Sequence, residues 1–194
     1  MRRAVFVIAI MTLATPVVFS QGITGFTGGT EYGLYYTGST GDVVGFRFEV
    51  LAPVEVDALG AWNADSNGGL STAHQVGIWD STQTLVASVT VDPLTGTVIG
   101  DWTYAAITPV TLTPGQVYTA GMIYFDTDSD SYISGASGVT TDANVTWINA
   151  AYPSTGSLGF AYPANDSSPT SGGRFGPNFT FTVVPVELQS FTIE

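Results

Sequence analysis

The stretch VVGFRFEV, residues 43–50, alternates so strictly that it limits what the rest of the chain can fold into. Val44, Phe46, Phe48 and Val50 fall on one side, with Arg47 and Glu49 on the other. This is the two-residue period of a half-buried strand. TLVASVTV at 84–91 repeats the pattern, with Leu85, Ala87, Val89 and Val91 together. QVYTAGMIYF at 116–125 sets Tyr118, Ala120, Met122 and Tyr124 against Val117, Thr119, Gly121, Ile123 and Phe125. VEVDALGAW at 54–62 alternates less cleanly. HQVGIWD at 74–80 reads as a strand with Trp79 in the core, SYIS and VTWINA as shorter strands, and FTFTVV at 179–184 as the last. No segment carries a capped 3.6-residue apolar stripe, and turn signals such as Pro114-Gly115 separate strands at roughly ten-residue spacing. The pattern predicts an all-β, single-domain, antiparallel β-sandwich of jelly-roll or immunoglobulin-like kind.

The two ends read differently from the middle. MRRAVFVIAIMTLATPVVFS places two arginines before an apolar run, and Val18 and Ser20 suit the −3 and −1 positions of a signal peptidase site. The run is short for a membrane span and is broken by Pro16. Residues 1–20 are therefore expected to be a signal peptide. Residues 21–41 read as a loose Gly/Thr/Tyr-rich arm with a first short strand near Tyr32 to Tyr36. Residues 42–184 form the sandwich domain, and 185–194 a C-terminal tail or assembly strand. The expected location is secreted, extracellular or cell-surface, with no membrane insertion after signal removal.

Composition narrows the chemistry. There is no cysteine, so disulfides and thiolates are unavailable. There is no lysine, and without Arg2 and Arg3 two basic residues, Arg47 and Arg174, stand against sixteen acidic ones, a balance of −14. Such a field repels phosphate, which excludes nucleic acid as a partner.

Two segments have the oxygen spacing that calcium prefers. In NADSNGGLSTAH, residues 63–74, Asn63, Asp65 and Asn67 alternate before a glycine pair, but the twelfth position is His74 rather than a bidentate glutamate. In FDTDSDS, residues 125–131, Asp126, Asp128 and Asp130 alternate, with Ser131 where a calcium loop has glycine. Calcium is the one cofactor these loops suggest, and polar turns explain both equally well. His74 is the only histidine, too few for a zinc set, and reads as structural. No G-x-S-x-G elbow or marked carboxylate pair is present, so no catalytic residue is assigned and a non-enzymatic chain is expected. Trp62 and Trp102 stand beside polar turn residues and, with Trp147, are the candidates for stacking on sugar rings.

The run from VVGFRFEV through ALGAW, the Asp/Asn-Gly turn before Leu70, HQVGIWD and the T-P-G-Q-x-Y turn resembles an exported bacterial domain of unknown function found in PEP-CTERM-sorted envelope proteins. The resemblance covers about residues 40 to 184. It implies a β-sandwich, envelope or extracellular placement, and a structural or binding role, with no catalytic residues to carry over. VVPVELQSFTIE lacks the PEP motif and the basic tail of sorted relatives. Its alternation makes Val186, Leu188, Phe191 and Ile193 candidates for assembly by strand addition. The expected function is thus a secreted structural, matrix or envelope protein that calcium could stabilise. A carbohydrate-binding module and a fibre subunit joined by strand complementation are the alternatives. Self-association and surface polysaccharide are the corresponding partners.

Overall fold

The computed structural model describes residues 20–33, 40–64, 66, 68–125, 129–154, 159–167 and 172–185. Its elements are β1 (Ser20–Gln21), β2 (Ile23–Thr27), β3 (Thr30–Tyr32), β4 (Asp42–Val50), β5 (Val54–Trp62), β6 (His74–Trp79), β7 (Leu85–Val91) and β8 (Thr97–Ile99). They continue with β9 (Trp102–Leu112), β10 (Val117–Tyr124), β11 (Tyr132–Thr141), β12 (Val145–Tyr152), β13 (Asn165–Asp166), β14 (Gly173–Phe175) and β15 (Pro177–Val183). One sheet runs β13-β12-β4-β10-β6-β7 and a second β1-β15-β5-β9-β8, while β14-β11-β2 form a third, with β3 also pairing β11. All the pairings are antiparallel, as the strand alternation predicts.

The alternation places the core. Phe46, Phe48 and Val50 of β4 join Tyr118, Ala120, Met122 and Tyr124 of β10 on the inner face of the six-stranded sheet. The five-stranded sheet answers with Val54, Val56 and Leu59 of β5 and Phe179 and Phe181 of β15. Phe48 and Phe179 meet at 4.6 Å between ring centroids, where the two sheets interlock.

Three local departures from the sequence reading have physical causes. In β7 the register shifts so that Trp79 pairs Leu85 while Ile78 pairs Ala87, leaving Val86 as the extra residue of a bulge. Val86 consequently packs on the core and Leu85, expected there, is exposed. In β5 the register shifts at Asp57 against both neighbouring strands, which accounts for its unclean alternation. The arm at 21–41 is not loose over its described part: Ile23 is fully buried and Phe26 packs against the core. Asn178 holds it, accepting from the Ile23 amide at 3.0 Å and donating to the Ile23 carbonyl at 2.9 Å.

The outer face of the six-stranded sheet is also covered. Gly121 of β10 stands opposite Gly45 of β4 and Gly77 of β6, making a trough across three strands. Trp79 lies in it with Phe160, ring centroids 5.1 Å apart, over Val43 and Ile123. Arg47 fixes the covering segment by an ion pair to Asp166 at 2.5 Å and by donating to the Ala164 carbonyl at 3.1 Å. A methyl group at Gly121 would stand 2.5 Å from Val43 Cγ1 and 3.0 Å from the Trp79 ring. Overpacking of this kind typically costs about 1–3 kcal/mol. Gly121→Ala is therefore expected to lower the unfolding free energy by that amount, read as a lower urea midpoint at an unchanged denaturant slope, and an unaltered midpoint would show that the trough does not need this glycine.

Candidate functional site

The two oxygen-rich loops meet at one end of the sandwich. After β5 the chain turns through Gly68 and Gly69, both at positive φ (109° and 97°), a conformation open to glycine. Asn63 Oδ1 closes the turn by accepting from the Leu70 amide at 3.0 Å, and Leu70 is buried in the core. Glu31, on β3, accepts from the Ser66 amide at 2.6 Å and from the Ser66 hydroxyl. No spacing in the sequence links Glu31 to this loop.

Asp130 comes from the other loop and is 3% exposed. Its Oδ1 accepts from the Ser71 amide at 2.7 Å. Its Oδ2 accepts from the Thr72 amide at 3.0 Å, the Thr72 hydroxyl at 2.9 Å and His74 Nε2 at 2.8 Å. His74 is fully buried, and its Nδ1 donates to the Ile123 carbonyl at 2.6 Å. A carbonyl can only accept, so Nδ1 carries a proton and the ring is fixed in orientation between Ile123 and Asp130. Burial acting alone would raise the Asp130 carboxyl. The hydrogen bonds from His74, Ser71 and Thr72 outweigh it and hold the group well below the ordinary carboxylate range.

This arrangement is not a nucleophile–base–acid relay. In such a relay the acid holds one imidazole nitrogen and the nucleophile uses the other. Here Thr72 Oγ1, 3.1 Å from Nε2, and Asp130 share the same nitrogen, and a backbone carbonyl occupies Nδ1. What the cluster does is fasten two loops to each other and to the end of β10.

The other predicted residues fall as follows. Of the calcium candidates, Asn63 and Asp130 accept the protein hydrogen bonds just described, while Asp65, Asn67, Asp126 and Asp128 lie outside the described residues. Trp62 and Trp102 are not at a rim: they are 6% and 3% exposed, packed edge-to-face on each other at 5.1 Å. Phe26 of the arm covers them, 5.4 Å from Trp62 and 6.2 Å from Trp102. Trp147 is partly buried beside Phe175 at 6.3 Å. Val186, Leu188, Phe191 and Ile193 lie outside the described residues. A groove of about 430 Å³ that the sequence reading did not anticipate opens between Asp57, Ile99, Tyr104, Ile107 and Thr180. The β5 bulge puts Asp57 there, with Oδ1 accepting from the Thr180 hydroxyl at 2.5 Å, and the Tyr104 hydroxyl accepts from Gln21 Nε2 at 2.9 Å. Burial of Tyr104 raises its phenol well above the ordinary range, so it stays a neutral donor and acceptor.

A family model described as a domain of unknown function, DUF4082, matches residues 35–179, spanning the strands from β4 into β15 and the fastened loops between them. The chain belongs to the DUF4082 family. Comparison with curated proteins and with solved structures returned no match. In this DUF4082 domain no helix among the described residues is long and apolar enough to cross a membrane.

Asp130→Asn leaves His74 and Thr72 facing an amide, and leaving buried hydrogen-bonding groups without their partner costs about 1–3 kcal/mol. The pH dependence follows from the depressed carboxyl. Its contribution to stability is complete above the unfolded value of about 3.9 and is lost as pH falls through the lower folded-state value. The wild-type melting temperature is expected to fall steeply on acidification below that point, and Asp130→Asn to show a shallower slope from a lower plateau. Parallel slopes in the two proteins would remove Asp130 as a source of acid sensitivity.

Proposed function

We propose that this chain is an exported bacterial structural protein of the envelope or extracellular matrix, and that it acts without catalysis. The observation that carries the reading is the loop cluster. The acids and the imidazole gathered there are engaged in holding the loops, with Asp130 accepting four hydrogen bonds and Glu31 two. A surface built this way offers shape and rigidity in place of reactive side chains. The leader-like first twenty residues and the acidic, lysine-free composition support placement outside the cell. Family membership is compatible with this role and assigns no other.

Calcium enters the proposal through the two loops. The candidate ligands are Asn63, Asp65 and Asn67 in one loop and Asp126, Asp128 and Asp130 in the other, with Asn63 and Asp130 also accepting from backbone amides. Binding to the folded chain alone stabilises by RT ln(1 + [L]/Kd), about 2.7 kcal/mol at a hundredfold excess over Kd.

The test starts from full-length chain made in a secreting bacterium. The exported product is expected to begin at Gln21, and a product retained in the cytoplasm with Met1 intact would overturn export. Thermal unfolding of the secreted chain in EDTA, calcium and magnesium then decides the metal. A calcium-specific rise abolished by Asp65→Asn, or by Asp126→Asn with Asp128→Asn, places the ion in that loop. Equal curves in all three leave the loops held by their own hydrogen bonds. Retardation in gels containing polysaccharide would move the assignment to a carbohydrate-binding module.

A further inference from the structure

Between Ser81 and Phe125 the only charged residues are Asp92 and Asp101, in a chain with sixteen acidic side chains. Within this segment the fold brings β7 and β9 together along one side of the sandwich. Among the described residues β7 ends the six-stranded sheet. On the facing sheet, β8 pairs with β9 only from Trp102 to Tyr104, so the rest of β9 borders no strand on that side among the described residues. Residues 86–89 of β7 and Ala106, Ile107 and Val110 of β9 line a groove of about 300 Å³ between the two edges.

The two edges are not equivalent. β9 carries Pro109, which has no N–H to offer, and its register with β5 breaks between the partners of Val56 and Ala58. Proline and bulges are the usual means of blunting an edge against further pairing. β7 has no proline, and its bulge at Val86 lies at its beginning. From Ala87 to Val91 it is regular, uncharged and rich in β-branched residues, with Ser88 and Thr90 exposed and Ala87 and Val91 buried.

We propose that two copies of this chain join by pairing β7 with β7, antiparallel about a two-fold axis, so that two six-stranded sheets become continuous. Direct partners in an antiparallel pair share a face. Any register that sets odd-numbered residues opposite one another keeps Ala87, Val89 and Val91 on the inner face and Ser88 and Thr90 on the outer face in both copies. Charge selects the occupant and the place. Two strongly acidic molecules repel wherever carboxylates meet, and β7 carries no charge to oppose approach. An interface of this kind tightens as salt screens the long-range repulsion, opposite to one held by ion pairs. The pairing deepens the structural reading and rests on it for its biological meaning. The association is measured on purified protein, independently of where the chain is exported.

Sedimentation equilibrium of the secreted chain at low and high salt tests the proposal. The expected result is a monomer–dimer equilibrium shifted towards dimer by at least tenfold in high salt. Ser88→Lys with Thr90→Lys, and separately Ser88→Glu with Thr90→Glu, alter exposed positions and are each expected to be monomeric with native circular dichroism. An equal mixture of the two double variants is expected to recover a heterodimer, because unlike charges now face each other across the edge. A wild-type chain that stays monomeric at every salt concentration overturns the proposal, as do double variants that associate like wild type. Association lost only on deletion of residues 186–194 would also overturn it and identify the tail as the added strand.

Discussion

The contact between Phe48 and Phe179 is the one on which the two main sheets depend, and it belongs to a longer column of rings. From Phe179 the column continues to Phe181 at 6.0 Å, and from Phe48 it passes to Phe46 at 6.0 Å. Phe46 meets Phe175 at 5.7 Å, and Phe175 stacks on Phe26 at 4.7 Å. Phe26 then reaches Trp62 and Trp102. The column therefore crosses from the six-stranded sheet to the third sheet and on to the arm. Aromatic pairs contribute about 0.5–1.5 kcal/mol each beyond the area they bury. In a chain without cysteine, such packing joins the sheets with no covalent link between side chains.

Around that apolar column four polar side chains sit near strand ends or in the loops between them. Asp130, His74, Asn63 and Asn178 each satisfy backbone amides or carbonyls that no ladder reaches. A buried backbone group left unpaired is costly, and a carboxylate that accepts several N–H groups meets that need at several points at once. The same oxygen-rich side chains that suggest cation binding in the linear sequence thus also suit the closing of turns. The alternating spacing of acidic residues does not distinguish the two uses.

How much of this was legible beforehand depended on whether the controlling interaction was local. The alternation of Val44, Phe46, Phe48 and Val50 is local, and so is the glycine pair after Asn63, and both read correctly as strand and turn. Bulges are set by the partner strand, which is why Leu85 was misplaced and Val86 overlooked. Trp62 and Trp102 looked rim-like because polar turn residues follow or precede them. The ring that covers them, Phe26, comes from a Gly/Thr-rich stretch whose composition hides two core residues, Ile23 and Phe26. The link between Asp130 and Ser71, Thr72 and His74 spans more than fifty residues, and Glu31 reaches Ser66 from the arm; neither leaves any periodic trace.

The two arginines of the folded part have consequences outside the fold. Arg47 is held against Asp166 with 16% of its side chain exposed, and Arg174 lies 4.4 Å over the Tyr152 ring. From residue 4 onward the chain has no lysine and no other arginine. Proteases that require a basic side chain in their specificity pocket therefore find only these two, both already engaged by neighbours. Cross-linking chemistry that joins proteins through lysine ε-amines finds no handle at all. The domain is chemically quiet towards both reactions, and this follows from where its few cations are and not from any barrier at its surface.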